Sequence, residues 1–500
     1  MTENRILRET TSLCPVCLKR LKATVVDENG RIMIKKECAE HGNFNEVYWA
    51  DVELFDWAEK FRRDDTQSSA FQTEVKEGCP YDCGLCPSHI SHTVIAIIDL
   101  NNKCDLNCPI CFANAAKPQV IYEPSKENVY QMLNFLKSLQ PSPPVVQFSG
   151  GEPLLQDEIV EFVKKAHELK FMIILTTNGL RFVKEPELAR KLKEAGLNVV
   201  YLQFDGVTSR PYEKLRGRNL LPEKIKVIEI CHEVDLEVVL VPTLVKGINE
   251  TEIGGTLKFA ADNIDIIRGV IFQPMSFVGR FKEINRMENR ITVPEVSMCI
   301  EEQTNGEINR KDLCPIPIMV QAQRFMGAFM AKPWPYFTAE PHCGVTTWVL
   351  ISKKTGRMFT PINQVWNINA VLAKLEGFSE EIKSGLIGRA KVYAKLAVEI
   401  FSFITEKNAL EELGLRTTVR TIVKFLIKPS YASLGSIRRR LLLVGCMAFM
   451  DNYNFDIERV RKCLIHYVTP DLRIIPFCAY NLLYRENLEK SFQICKTCNG

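Results

Sequence analysis

No run of eighteen uninterrupted apolar residues occurs in the chain, so no segment reads as a membrane span. Met1–Ser12 is polar and lacks the apolar stretch of a secretory signal, which points to the cytoplasm. Net charge is only +4, too little to argue for a nucleic-acid partner. An Asp-x-His-x-x-Gly pattern is absent, which argues against cobalamin. His89, His92, His167, His232 and His466 stand at no metal-ligand spacing. Cysteine, in contrast, is abundant, with 18 residues. Without a secretion signal, that number argues against a disulfide framework and for metal ligation in a reducing compartment. Hydrophobic residues make up 46% of a 500-residue chain, enough for two to four domains with real cores.

The cysteines fall in blocks. Cys104, Cys108 and Cys111 form C-x3-C-x2-C directly after the strand-like run Thr93–Ile98. Three thiolates on one tight loop can hold three irons of a four-iron cluster, leaving the fourth iron open to a small molecule. Cys79, Cys83 and Cys86 repeat the spacing inside a Pro- and Gly-rich loop and read as three ligands of an auxiliary four-iron cluster. Cys14 and Cys17, then Cys38 and His41, have the spacing of a metal ribbon built on a hairpin, with Glu28-Asn29-Gly30 as its turn. Zinc or a rubredoxin-type iron suits it, with the fourth ligand either His41 or one of Cys495 and Cys498. Toward the C-terminus, Cys343, Cys446, Cys463 and Cys478 are candidates for a second auxiliary cluster. Cys231, Cys299 and Cys314 stand alone in apolar or helical surroundings and read as structural.

Between 93 and about 280, apolar runs at 94–99, 144–149, 171–176, 198–204, 236–243 and 269–275 alternate with amphipathic stretches. That pattern predicts an α/β fold, a partial (β/α)6 barrel whose functional groups sit at the strand C-terminal ends. Gly150, Gly151 and Glu152 close the second run, Asn178 the third, and Gln203 and Asp205 the fourth. The two glycines would let backbone approach a ligand, and Glu152 could accept from an ammonium. The expected division is 1–78 for ribbon and linker helix, 79–92 for the auxiliary-cluster loop, 93–290 for the barrel and 291–500 for a C-terminal auxiliary-cluster and substrate domain.

The cysteine loop, its preceding strand and Gly150-Gly151-Glu152-Pro153 resemble the radical S-adenosylmethionine (SAM) enzymes. The resemblance implies that the open iron chelates SAM and that the cluster cleaves it to a 5′-deoxyadenosyl radical. It also implies that Gly150, Gly151 and Glu152 hold the SAM amino group, and that Asn178, Gln203 and Asp205 serve the ribose. The residue before the third cysteine is usually aromatic and helps to seat the adenine. Here it is Ile110, and Phe112 follows the cysteine instead.

Over roughly residues 10 to 500 the cysteine blocks, with Pro476-Phe477-Cys478-Ala479-Tyr480-Asn481, resemble the archaeal tetraether lipid synthase family. That likeness implies hydrogen abstraction from the terminal methyls of isoprenoid lipid tails and the joining of two tails. It further implies auxiliary clusters, a low-potential donor such as ferredoxin or flavodoxin, and contact with a membrane surface. The apolar stretch 385–404, followed by Arg416, Arg420, Lys424 and Lys428, would suit a long tail and an anionic head. A radical SAM methylase acting on a pterin shares the same core and cysteine count. A peptide-modifying maturase shares the auxiliary clusters, but no separate N-terminal peptide-binding domain is evident.

Overall fold

The computed structural model describes residues 5–63, 72–116, 120–330, 335, 337–352, 357–383, 392, 395 and 439–493. The N-terminal module is a four-stranded antiparallel meander, Arg5–Leu13, Arg20–Glu28, Arg31–Cys38 and Gly42–Trp49. Its central turn is two residues long, with Asn29 and Gly30 both at positive φ (54° and 85°), as a tight Asn-Gly hairpin requires. The helix Val52–Glu59 follows; the Asp51 side chain caps it by accepting from Leu54 N at 2.7 Å, and Leu54, Phe55 and Ala58 are buried.

Six parallel strands then lie side by side in chain order: Ile95–Asp99, Val145–Ser149, Met172–Thr177, Val199–Gln203, Glu237–Val241 and Ile267–Pro274. They match the six apolar runs, because a strand covered on both faces must be apolar throughout. Alternation still sorts the side chains. Val146 and Phe148 are fully buried in the main apolar core, whereas Gln147 and Ser149 line the barrel interior. Helices such as Lys126–Ser138 and Ile159–Glu168 cover the outside with fully buried Leu133, Leu136 and Phe162. Each such side chain contributes about 1.5–3 kcal/mol of burial.

The sheet does not stop at six. Leu441–Met447 adds in parallel to Ile267–Pro274, and Ile465–Val468 adds in parallel to Ile95–Asp99, which brings the parallel run to eight strands. Gly344–Ile351 lies antiparallel on Leu441–Met447 and forms an antiparallel ladder with Phe359–Pro361. Ile474–Pro476 pairs antiparallel with Ile465–Val468. The C-terminal part, 291–500 in the expected division, thus supplies strands to both edges of the barrel sheet. Sequence periodicity could not reveal this, since pairing partners lie far apart along the chain. Among the described residues, the two added parallel strands do not pair with each other, and the barrel stays open.

Among the described residues, no helix is long and apolar enough to cross a membrane. Of the stretch 385–404, only Val392 and Lys395 are described, so its expected channel lies outside the described residues.

Candidate active site and metal centres

A cavity of about 500 Å³ fills the C-terminal end of the barrel, and Cys104, Cys108 and Cys111 all line it. Gly150 to Glu152, Asn178, Gln203 and Phe112 line the same space, so the fold brings together the residues expected at one site. Three thiols of one loop facing an open cavity suit a cluster with one exposed iron. Burial pushes the Cys104 thiol up to about 12 and raises Cys108, so these groups hold their protons until a metal displaces them.

Several sequence-expected contacts take a different form. A Cβ on Gly150 would lie 2.3 Å from Asn101 O, and one on Gly151 would lie 2.1 Å from Lys103 O. The missing side chains let the second strand end lie against the start of the cysteine loop, with Gly151 N donating to Asn101 O and Glu152 N to Lys103 O at 2.8 and 2.7 Å. Their first use is therefore loop packing, where ligand approach was expected. Glu152 is buried and accepts from Thr177 Oγ1 at 2.6 Å, Asn178 N at 2.7 Å and Leu154 N at 3.0 Å. Burial raises its carboxyl to about 7, against the pull of these donors.

Asn178 donates to Asp105 Oδ1 at 2.7 Å and accepts from Leu180 N at 2.8 Å, tying the third strand end to the cysteine loop. Asp205 was expected at the ribose. Instead both its oxygens are taken by Arg216, at 2.7 and 2.8 Å, and the Gln203 amide also donates to it. Phe112 stacks on Phe477 with centroids 5.4 Å apart, and Phe477 on Phe449 at 4.1 Å, so the loop meets the C-terminal segment through an aromatic cluster. Ile110 is buried beside Leu215, Met275 and Phe277.

Sequence reasoning missed Arg216 and Arg485, which both line the cavity. Arg485 reaches Asp99 at 2.9 Å and stacks over Tyr467 and Tyr480. The residue types gave no signal, because basic side chains at helix ends are usually solvated. It missed His342 too, which is fully buried and stacked on Phe55 at 4.0 Å.

In the ribbon, the ligand atoms of Cys14, Cys17, Cys38 and His41 lie within 4.8 Å of one another. The edges are 3.6 Å for Cys14–His41 Nδ1, 3.5 Å for Cys38–His41 Nδ1 and 3.9 Å for Cys17–Cys38. Metal–sulfur bonds of about 2.3 Å at tetrahedral angles give edges of about 3.5–3.8 Å, so this set fits one tetrahedral ion. Cys495 and Cys498 lie outside the described residues.

Two further cysteine groups adjoin each other. Cys79, Cys83 and Cys86 line one small cavity, and Cys343, Cys463 and Cys478 line the next; Val460 and Pro476 belong to both walls. Cys446 does not join them. It is fully buried in the apolar core on the strand Leu441–Met447, whose Gly445 and Met447 face the active-site cavity. Strand alternation turns Cys446 the other way, which corrects its expected place among the C-terminal ligands.

This barrel, with three cysteines at the strand-end cavity, defines a radical SAM enzyme; the radical SAM superfamily model matches residues 98–260. Residues 6–50 match the HMPTM N-terminal zinc ribbon domain. The chain belongs to the family of the 7,8-dihydro-6-hydroxymethylpterin dimethyltransferase of Methanocaldococcus jannaschii, to which it is 43% identical over 489 residues, 97% of this chain and 96% of that one. A GTP 3′,8-cyclase of Nautilia profundicola is 28% identical over 206 residues, 40% of this chain and 62% of the relative. Among solved structures, Streptococcus suis SuiB bound to S-adenosylmethionine matches with a TM-score of 0.38 at 19% identity, over 43% of this chain and 48% of that one.

The near full-length relative overturns the expected joining of isoprenoid lipid tails, since it is a pterin dimethyltransferase. The cysteine blocks that suggested a lipid synthase report metal sites, and metal sites do not carry substrate identity.

Proposed function

We propose that this protein is a radical SAM methyltransferase acting on a reduced pterin of the 6-hydroxymethyl-dihydropterin class. The observation that carries the reading is the 43% identity over 97% of the chain to the dimethyltransferase of that substrate. The cavity supports it. Gln147, Thr176, Gln203, Thr243 and Gln273 line it from neighbouring strands, with Gln147 donating to Thr176 Oγ1 at 2.8 Å. Amides and hydroxyls at that depth suit the alternating donors and acceptors on the edge of a flat heterocycle. A volume of about 500 Å³ has room for a bicyclic ring beside a nucleoside.

Cys104, Cys108 and Cys111 would hold the four-iron cluster, which would supply the electron for opening SAM. The chain's own part is orientation: Glu152 and Asn178 set the third strand end against the cysteine loop, and Arg216 ties Asp205 and the fourth strand to it. In the same reading Cys79, Cys83 and Cys86 hold one auxiliary four-iron cluster, and Cys343, Cys463 and Cys478 hold a second. A low-potential ferredoxin or flavodoxin supplies electrons.

The test is anaerobic turnover of the reconstituted enzyme with dithionite, SAM and 7,8-dihydro-6-hydroxymethylpterin, followed by mass spectrometry of the pterin. Gain of one or two methyl groups, absent when Cys104, Cys108 and Cys111 are all Ala, is expected. SAM cleavage with an unchanged pterin would remove this substrate.

A further inference from the structure

The cysteine loop is held from above by a segment that no sequence motif marks. After the sixth strand the chain turns back through Ser276–Phe281, and Arg280–Phe281 pairs antiparallel with Ile110–Cys111. Arg280 Nε donates to Cys108 O at 2.8 Å and Nη1 donates to Ala115 O at 3.0 Å, so one guanidinium spans both sides of the third cysteine. Lys282 N adds a bond to Pro109 O at 3.2 Å. The approach is so close that a Cβ on Gly279 would lie 2.4 Å from Phe112 O and 2.5 Å from Cys111 O. Gly279 also has φ of 71°, which a side chain disfavours.

The base of this strap is anchored. Phe277 N donates to Asp451 Oδ2 at 3.2 Å, and Arg290 Nη2 donates to the same oxygen at 2.9 Å. Arg290 Nε in turn meets Glu46 of the metal ribbon at 2.9 Å, with both side chains buried. The strap is thus fastened at one end to the ribbon and at the other to the loop.

Among the described residues Arg280 takes part in no ion pair, and its buried Nη2 has no hydrogen-bond partner. Three thiolates around a cluster that gains an electron leave a net negative charge in the loop. A guanidinium bonded to that loop and not neutralised by a carboxylate favours the more negative, reduced state.

We propose that Arg280 is the positioning residue of the three-cysteine loop: its fork sets the loop's shape, and its charge favours reduction of the cluster held there. Arg280→Gln removes the charge; Arg280→Lys keeps the charge and loses the fork. Both are to be purified anaerobically, reconstituted, checked for zinc and iron, and poised at the potential that half-reduces the SAM-responsive cluster of the wild type. The electron paramagnetic resonance (EPR) spectrum is recorded with and without SAM.

With Arg280→Gln the reduced fraction should fall several-fold, while zinc stays at the wild-type level. With Arg280→Lys the fraction should stay near half, but the SAM-induced spectral change should weaken. Wild-type reduction and a wild-type SAM response in both variants overturn the proposal. So does equal loss of zinc and of all iron in both, which would mark Arg280 as general fold support. Should Arg280→Gln fail to fold, Arg280→Lys decides, and an unaltered SAM response there refutes the fork's role.

Discussion

Arg216 grips Asp205 through two parallel hydrogen bonds, Nε to Oδ2 at 2.7 Å and Nη2 to Oδ1 at 2.8 Å, and both side chains are almost wholly buried. The same guanidinium donates to Thr243 Oγ1 at 3.0 Å and to Ile110 O at 3.3 Å. One side chain thereby joins the fourth strand end, the fifth strand end and the cysteine loop. Removing the carboxylate with Asp205→Ala leaves a buried, unpaired cation, which costs about 3–5 kcal/mol. Asp205→Asn keeps one acceptor and should cost less. Urea unfolding of the metal-free protein measures both. A loss under about 1 kcal/mol for Asp205→Ala would mean that water reaches the pair.

The ribbon site yields a sharper choice. His41 Nδ1 lies 3.6 Å from Cys14 Sγ and 3.5 Å from Cys38 Sγ, which closes a four-ligand set without the C-terminal cysteines. Replacing His41 with Ala should lower zinc affinity by roughly tenfold or more, since a structural tetrahedral site needs all four ligands. Replacing Cys495 and Cys498 together should leave zinc at one ion per chain. Competition with a chromophoric chelator reads both, and the opposite pattern would assign the fourth position to the C-terminal pair.

Much of this molecule was legible in the sequence for simple physical reasons. Buried parallel strands must be apolar, so six of the eight announced themselves; a two-residue Asn-Gly turn can hardly be anything but a hairpin. Cysteine spacing likewise marked where Cys104, Cys108 and Cys111 gather. What stayed hidden depends on contacts between distant segments. Leu441–Met447 and Ile465–Val468 look like ordinary strands until their partners are known. Spacing alone could not separate Cys446 from Cys463, because the facing of Cys446 is decided by its strand and Cys463 lies in the connection before Ile465–Val468. Asp205 read as a ligand contact because its partner Arg216 lies on the following helix, Ser209–Arg216.

Lys224 offers a prediction in pH. It is fully buried on the helix Leu221–Glu233, and its ammonium donates to Asn178 O at 2.5 Å. Burial lowers its pKa to about 8, with Asp205 pulling the other way. The folded state therefore binds fewer protons than the unfolded chain between about pH 8 and the unfolded value near 10.4, and stability rises with pH across that window. The full difference is on the order of 3 kcal/mol. Relative to Lys224→Met, which cannot titrate, the wild type should gain about that much from pH 8 to 10.5. Urea midpoints for both proteins across this range supply the check, and parallel curves would show that Lys224 keeps its proton in the fold.

The last prediction separates Cys463 from Cys446, a partly buried and a fully buried thiol seventeen positions apart in sequence. Cys463 shares a cavity wall with Cys343 and Cys478, where Arg459 Nε donates to Cys343 Sγ at 3.2 Å and Met450 N to Cys478 Sγ at 3.4 Å. Those donors favour the thiolate, the form that binds iron, at Cys343 and Cys478, against burial that raises both thiols, while Cys463 Sγ donates to Ile465 O at 3.0 Å. Cys446 has only apolar neighbours in the core, and burial alone raises its thiol. If the proposed second auxiliary cluster is held there, Cys463→Ala should lower iron by about four per chain, the content of one such cluster. Cys446→Ala should leave iron unchanged and cost only the small packing loss of one buried sulfur, roughly 1 kcal/mol. Iron and acid-labile sulfide measured on both reconstituted variants decide the matter. Equal iron in the two would remove Cys463 from the ligand set, and loss from Cys446→Ala would overturn the register argument that turns it away.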